Sequence, residues 1–314
     1  MGTPELARII LQALLAAQEF QIVAVVTQPD RPKGRELKLE PSPVKQLARE
    51  SRLPVLQPER ARREEFSAEL RALQPQLIVV AAYGQILPQA ILDVPEFGCL
   101  NVHTSLLPKY RGAAPIQWAI LNGEAETGVT IMKMDAGMDS GEIVAQQKTA
   151  ILETDTSETL HDRLAQIGSD LLLKTIPEYL SGRIQPSPQP TKGISYAPKI
   201  KKEDGRIDWR QPANVVRNRI RAFAPWPGAF TYFSDCSGSH LLKIWAANVI
   251  NRSGNPGEIL EAKNEGILVG CGREALNVEF LQRAGGRKMR AAEFLAGHVL
   301  RPGYRFTETR SDEH

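Results

Sequence analysis

Residues 77–82 read L-I-V-V-A-A. A short run that is apolar throughout is what a parallel strand buried on both faces requires. Outward from it, the front of the chain alternates between helix and strand. Upstream, Pro4–Ala17 places Leu6, Ile9, Ile10, Ala13, Leu14 and Ala17 at helical spacing, and Ile22–Val26 is a β-branched strand. Pro43–Ser51 and Arg62–Leu73 read as amphipathic helices. Downstream, Pro88–Leu92 is a short helix, Gly98–His103 a strand, Pro115–Asn122 a helix, and Gly128–Met134 and Ile143–Ala150 strands. Asp155 or Thr156 caps a helix running to about Ser181. This β/α alternation implies an α/β fold with a doubly wound, mostly parallel sheet.

The pattern changes after residue 182. Residues 183–202 form a proline-rich, basic stretch that reads as a semi-rigid linker. Beyond it, Ile207–Trp209, Ala229–Phe233, Leu241–Val249, Gly257–Ala262, Gly266–Gly270 and Ala275–Gln282 are short strand candidates at turn-like spacing. Asn214–Phe223 is a helix before them and Ala291–Gly297 a short turn after them. The expected organisation is a front domain over 1–182, a linker over 183–202 and a small β-barrel domain over 203–314.

Composition narrows the class. The 314 residues suffice for two domains with cores, and 42% hydrophobic with 24% charged is an ordinary soluble balance. No apolar run approaches the ~20 residues of a membrane span, and residues 1–20 lack the form of a secretory signal. Cys99, Cys236 and Cys271 are scattered, which argues against a disulfide framework or a zinc site and suits a reducing cytoplasm. The net charge of +3 hides an asymmetry: residues 1–182 carry −5 and residues 183–314 carry +8. A basic rear half suits binding to a polyanion.

The chemistry concentrates in N-V-H-T-S-L-L-P-K-Y-R-G, residues 101–112. Strand alternation sends Asn101 and His103 to one face. A hydrogen-bond donor beside a proton-transfer group suits reaction at a carbonyl. D-A-G-M-D-S-G-E, residues 135–142, offers the carboxylate such a pair needs, at Asp139. A calcium loop is excluded there, because Gly137 and Gln146 fall where ligands are required. Taken singly, Asn101-x-His103 is a polar strand end and Asp139 a turn residue; their joint occurrence carries the reading. His161 lies on an amphipathic helix and reads as structural or surface.

N-x-H-x-S-L-L-P, R-G-A-A-P-I-Q and G-V-T-I-M-x-M-D-x-G-x-D-x-G together closely resemble the folate-dependent formyltransferases. T-Q-P-D-R-P-K-G-R (27–35), P-S-P-V-K (41–45), V-V-A-A-Y-G-Q-I-L-P (79–88) and R-A-F-A-P-W-P-G (221–228) resemble the branch that acts on methionyl-tRNA. The match spans nearly the whole chain, in order. The resemblance implies a formyltransferase Rossmann-like domain, an OB-like tRNA-binding barrel, and catalysis by Asn101, His103 and Asp139. It implies 10-formyltetrahydrofolate as formyl donor, no metal, and initiator methionyl-tRNA as partner of a monomeric, cytoplasmic enzyme. The folate is expected against Ser105, Leu106, Leu107, Pro108, Tyr83, Gly84, Ile86 and Asp135. Leu106 and Leu107 read equally well as plain core leucines.

For the tRNA, the segment 27–42 is long enough to be a functional loop. Arg31, Lys33, Arg35 and Lys38 on it are expected near the acceptor end, and Arg287, Lys288 and Arg290 on the backbone. Further basic residues (Arg217, Arg219 and Arg221 on one helix) are candidates for the same grip. Trp226 reads as a barrel-core residue. The alternatives are a formyltransferase acting on a small amine or nucleotide sugar, and a non-catalytic RNA-binding relative.

One departure from the family stands out. Members begin with an apolar strand ahead of G-T-P-E, whereas here Met1 precedes Gly2-Thr3-Pro4-Glu5 directly. By the resemblance, that strand would lie between Ile22–Val26 and Leu77–Ala82. Its absence would leave buried backbone groups unpaired at about 1–3 kcal/mol each. The expectation is that the natural chain starts about eight residues earlier, a strand's length; a truncated, poorly active product is the alternative.

Overall fold

The computed structural model describes residues 1–33, 38–235 and 238–309. The chain divides into a first unit (1–115, 126–150, 161–197) and a second (116–125, 151–160, 198–314). In chain order the elements are α1 (Glu5–Ala16), β1 (Val25–Val26), β2 (Arg31–Lys33), β3 (Lys38–Glu40), α2 (Pro43–Glu50), β4 (Val55–Leu56), α3 (Glu64–Ala72), β5 (Ile78–Val80), α4 (Gln89–Leu92), β6 (Cys99–His103), β7 (Arg111–Gly112), α5 (Pro115–Leu121), β8 (Glu126–Lys133), β9 (Ile143–Ala150), α6 (Ser157–Leu180) and β10 (Tyr196–Ala197). The rest are α7 (Ala213–Ala222), β11 (Ala229–Asp235), β12 (Gly238–Ile250), β13 (Ile259–Lys263), β14 (Gly266–Gly270), β15 (Ala275–Arg283), β16 (Met289–Arg290) and α8 (Ala291–Gly297).

In the first unit the apolar run becomes β5, parallel to β6, while β8 and β9 extend the sheet antiparallel. β1 pairs in parallel with β4. The four-stranded sheet is therefore mixed, with β8 alone running opposite to β5, β6 and β9. Helix α6 lies on the back of β6 and β8. A side chain at Gly168 would put its Cβ 2.9 Å from Val102 Cγ1, so only glycine lets the helix come this close. Val102 points opposite to Asn101 and His103, so α6 supports the active strand from behind.

β1 and β5 do not pair with each other. Met1 and Gly2 bond both of them, and Thr3 and Gln28 link the segments that follow them through Tyr83 O. The Gly2 N–H donates to Val26 O (2.9 Å), Ala81 N–H donates to Met1 O (2.9 Å), and the Met1 ammonium donates to Val79 O (2.6 Å). Beyond Met1 lies a cavity of about 750 Å³ lined by Ile10, Leu14, Ala24, Val44, Leu77 and Ile176 among others. This cavity lies where the break between Ile22–Val26 and Leu77–Ala82 was expected. Burial lowers the Met1 amine to a pKa of about 6.

The stretch expected as a linker is anchored to the first unit. Ser187 exchanges both backbone hydrogen bonds with Ile143, and β10 pairs in parallel with β7. The second unit is a curled antiparallel sheet in the order β11-β12-β15-β14-β13, with β16 on β15, as an OB-like barrel requires. β12 is 13 residues long and bulged between Ile244 and Ala247, which bends it. Residues 303–307 bridge the two sheet edges, bonding Tyr232 on one side and Gly257 and Ile259 on the other. The core includes Trp209, Phe233, Phe294 and Phe306. Ile207–Trp209 is not a strand: Ile207 makes one bond to Phe230 and Trp209 packs inward. Trp226 is 56% exposed rather than in the core. It sits between Pro225 and Pro227 in a turn, outside the curled sheet whose inner face selects the core residues.

Candidate active site

The site starts from strand β6, whose burial alternates little because both its faces are covered. Asn101 is half-buried and His103 is 6% exposed. Pairing sets them in register: Asn101 opposite Met132 and His103 opposite Thr130 on β8. The Asn101 amide has no hydrogen-bond partner among the described residues, so its donor is available to a ligand. His103 Nε2 lies 3.0 Å from the Tyr110 carbonyl. That oxygen can only accept, so Nε2 carries a proton and Nδ1 is the nitrogen left for chemistry. Nδ1 faces Asp139 Oδ2 at 3.8 Å.

Asp139 arrives from the loop between β8 and β9. Its backbone is left-handed (φ 48°), a conformation uncommon outside glycine that Asp adopts more readily than most residues. Oδ2 accepts a 2.8 Å bond from the Gly112 N–H. Asp135 organises the same loop, accepting from the Gly137 N–H and from the Ser140 hydroxyl. Beside the loop is a recess of about 520 Å³ lined by Arg111, Lys133, Asp135, Glu142, Gln189 and Ile194 among others.

The S-L-L-P turn is built on a buried polar network. Thr130 Oγ1 donates to Ser105 O (2.7 Å) and accepts from Leu107 N–H (3.1 Å). Gln146 Nε2 donates to Leu107 O and to Thr130 Oγ1, both at 2.9 Å. The Ser105 hydroxyl donates to Lys109 O at 2.6 Å. Ser105 and Leu107 are thus buried scaffolding, while Leu106 and Pro108 are only partly buried.

The remaining folate candidates separate in the same way. Ile86 is 85% exposed and Gly84 is exposed, whereas Tyr83 is buried in a cluster with Val26, Phe66, Ile91 and Cys99. The Tyr83 hydroxyl has no partner, and burial pushes its pKa up to about 12. The Asp135 carboxylate is spent on its own loop. Among the described residues no group of three His, Cys, Asp or Glu could hold a metal ion.

The basic candidates divide too. Arg31 is exposed on a β2–β3 hairpin, not an irregular loop; Lys33 and Lys38 are a cross-strand pair on it. Arg35 lies outside the described residues. The hairpin's base is fixed by Asp30, which accepts from Lys45 (2.5 Å) and Gln57 (2.9 Å). The Lys45 ammonium holds the Asp30 carboxyl below its usual range. Arg287 pairs with Glu293 at the surface, while Lys288 and Arg290 lie over the Phe280 ring at 5.2 and 5.6 Å. The α7 arginines serve the second unit's interior instead. Arg217 pairs with Glu153, Arg219 donates to Asp204 O, and Arg221 donates to the carbonyls of Leu152, Glu153 and Asp155. Gln146 and Gln189 lie beside the site but outside the quoted motifs, and Thr130 and the Tyr110 carbonyl lie within quoted stretches that gave them no role. Their roles depend on register and on chain crossings that local sequence does not encode.

A mixed α/β sheet carrying Asn101, His103 and Asp139, followed along the chain by an OB-like domain, points to a class. The Formyl transferase family model matches residues 1–176 and the Formyl transferase C-terminal domain model matches residues 199–299. The chain belongs to the formyl transferase family, and within it to the methionyl-tRNA formyltransferases. It is 48% identical over 314 residues to the methionyl-tRNA formyltransferase of Geobacter sulfurreducens, covering 100% of this chain and 98% of that one. It is 50% identical over 303 residues to that of Trichlorobacter lovleyi, covering 96% and 94%. Among solved structures, the N-formyltransferase of Helicobacter canadensis with folinic acid and dTDP-3-aminofucose is similar in fold, with a TM-score of 0.64 at 21% identity over 88% of this chain and 97% of that one. HypX of Aquifex aeolicus with tetrahydrofolic acid gives 0.56 at 22% over 79% and 43%.

Proposed function

We propose that the first unit moves a formyl group from 10-formyltetrahydrofolate to the amino group of methionyl-initiator tRNA, giving N-formylmethionyl-tRNA for translation initiation. The carrying observation is the approach of His103 Nδ1 to Asp139 Oδ2 at 3.8 Å, on the strand face that also presents Asn101. The amine attacks the formyl carbon and negative charge grows on the formyl oxygen. The unengaged Asn101 amide donates to that oxygen, the largest single contribution such sites make. The attacking amine loses a proton, which Nδ1 and the Asp139 carboxylate receive and share, while Nε2 stays bound to Tyr110. The tetrahedral centre then collapses, N10 leaves, and the proton is returned to it.

Folate rests on exposed Ile86, on the accessible part of Leu106 and Pro108, and beside Gly84. Ser105, Leu107, Tyr83 and Asp135 shape this surface from beneath. Arg31, Lys33, Arg35 and Lys38 meet the acceptor end, and Arg287, Lys288 and Arg290 take the backbone. No helix of the described residues is long and apolar enough to cross a membrane, and the reading places the protein in the cytoplasm with the translation machinery. The test is to incubate the protein with 10-formyltetrahydrofolate and either methionyl-tRNA, glycinamide ribonucleotide or an amino sugar nucleotide. Formylation of methionyl-tRNA alone is expected; formylation of a small amine in its place overturns the reading.

A further inference from the structure

Gln189 sits between Pro188 and Pro190 in the stretch that leaves the last helix of the first unit. Its neighbours on both sides are exposed, yet its own side chain is half-buried and turned toward the catalytic loop. Nε2 donates to Asp139 O and to Gly141 O, each at 2.8 Å. Oε1 accepts from Arg111 Nε at 3.2 Å and from Arg111 Nη2 at 2.7 Å. This orientation of the amide is the only one the partners permit. Flipped, the oxygen would face two carbonyls and the NH2 a guanidinium.

The contacts close a ring. Gly112, next to Arg111, holds Asp139 Oδ2 through its N–H; Gln189 holds the Asp139 carbonyl; and Arg111 holds Gln189. Asp139 keeps a left-handed backbone (φ 48°), uncommon outside glycine though Asp tolerates it better than most, and the two contacts hold it at its side chain and at its carbonyl. Gly141 must also stay small, since a Cβ there would meet Lys133 O at 1.9 Å. The proline on each side limits the backbone of Gln189 before folding, and Ser187 pins the segment to Ile143.

We propose that Gln189 is a positioning residue for Asp139: with Arg111 it forms a bracket that fixes the carboxylate against His103. The assignment rests on the catalytic reading of Asp139 above. Removing the bracket misplaces the carboxylate, and displacements of about 1 Å cost about 10²-fold in rate.

The experiment measures kcat and both KM values for Gln189→Leu, Gln189→Glu and Arg111→Met in the full-length chain, with circular dichroism and thermal unfolding alongside. Gln189→Leu and Arg111→Met are expected to lower kcat about 10- to 100-fold with KM for folate and tRNA little changed. Gln189→Glu keeps the Arg111 contact but loses both donors, and is expected to fall with them. The decisive readout is the double variant. In an Asp139→Ala background, Gln189→Leu is expected to cost nothing further in single turnover. An equal additional loss in that background, or an undiminished kcat in Gln189→Leu, overturns the bracket. Full activity of Asp139→Ala alone overturns instead the catalytic reading beneath it. If Gln189→Leu does not fold, Arg111→Met carries the same cycle.

Discussion

Asn101 illustrates what a single side chain contributes at this site. Its amide is half-buried and bonded to nothing among the described residues, so folding gains little from it. On the proposed reading, its value lies in donating to the charge that grows on the formyl oxygen. Asn101→Ala is therefore expected to lower kcat/KM by about 10²–10³ while leaving the urea midpoint of unfolding unchanged; a variant that loses stability and keeps its rate would contradict this. His103 and Asp139 stood out as candidates in the sequence because i,i+2 alternation and a glycine-flanked carboxylate are local patterns, and the fold brings their side chains to 3.8 Å. The Tyr110 carbonyl that fixes the His103 tautomer did not, because a backbone oxygen leaves no trace in residue identity. Gln189 was hidden for another reason: a glutamine among prolines reads as solvated linker until the chain's return across β7 brings it to Asp139. Leu107 and Tyr83 erred the other way. Apolar residues in a site motif are equally good core, and only register shows that these two face inward.

At the level of elements, the void beside Met1 is the main liability. The slot between β1 and β5 is lined by apolar side chains and held at its end by Met1 and Gly2. Burial in that setting lowers the Met1 amine from 8.0 to about 6. The amine is protonated in the unfolded chain up to about pH 8 but in the folded one only below about pH 6. Between these values the unfolded state binds more protons, so stability rises with pH. The gain is about 3 kcal/mol at about 1.36 kcal/mol per unit, complete above pH 8 and absent below pH 6. Urea unfolding at pH 6 and pH 8 measures it, and acetylation of the Met1 amine should abolish the difference. A five-residue, β-branched extension ahead of Met1 should raise the melting temperature by filling the slot. Elsewhere the elements are tight. Gly168→Val drives a branched side chain into Val102 behind the active strand, at an expected cost of about 1–3 kcal/mol, with a fall in kcat as β6 shifts. The positions of these helices and strands were readable from periodicity. The β2–β3 hairpin and β7–β10 pairing were not, since three-residue and two-residue strands have no period to detect.

For the molecule as a whole, charge decides how the substrate is gathered. Residues 183–314 carry +8 against −5 for residues 1–182, yet not every rear-half cation is available. The α7 arginines are committed to carbonyls and to Glu153, and burial lowers the pKa of Arg219 and Arg221. Arg287, Lys288 and Arg290 are different. All three are exposed, and their partners are ones a phosphate can displace: Glu293 in a surface ion pair, and the Trp245 and Phe280 rings. Solvent and salt screen a surface pair of this kind, so it holds Arg287 only weakly. Each phosphate neutralised adds about 0.9 to the slope of log affinity against log salt on duplex. Replacing all three by Gln should therefore reduce that slope by as much as about 2.7, with the largest loss of affinity at low ionic strength. Replacing Arg217, Arg219 and Arg221 should instead lower the melting temperature with little change in slope. Binding titrations of both triple variants across a salt series separate the two sets, and a slope that moves only with the α7 set would reverse the assignment.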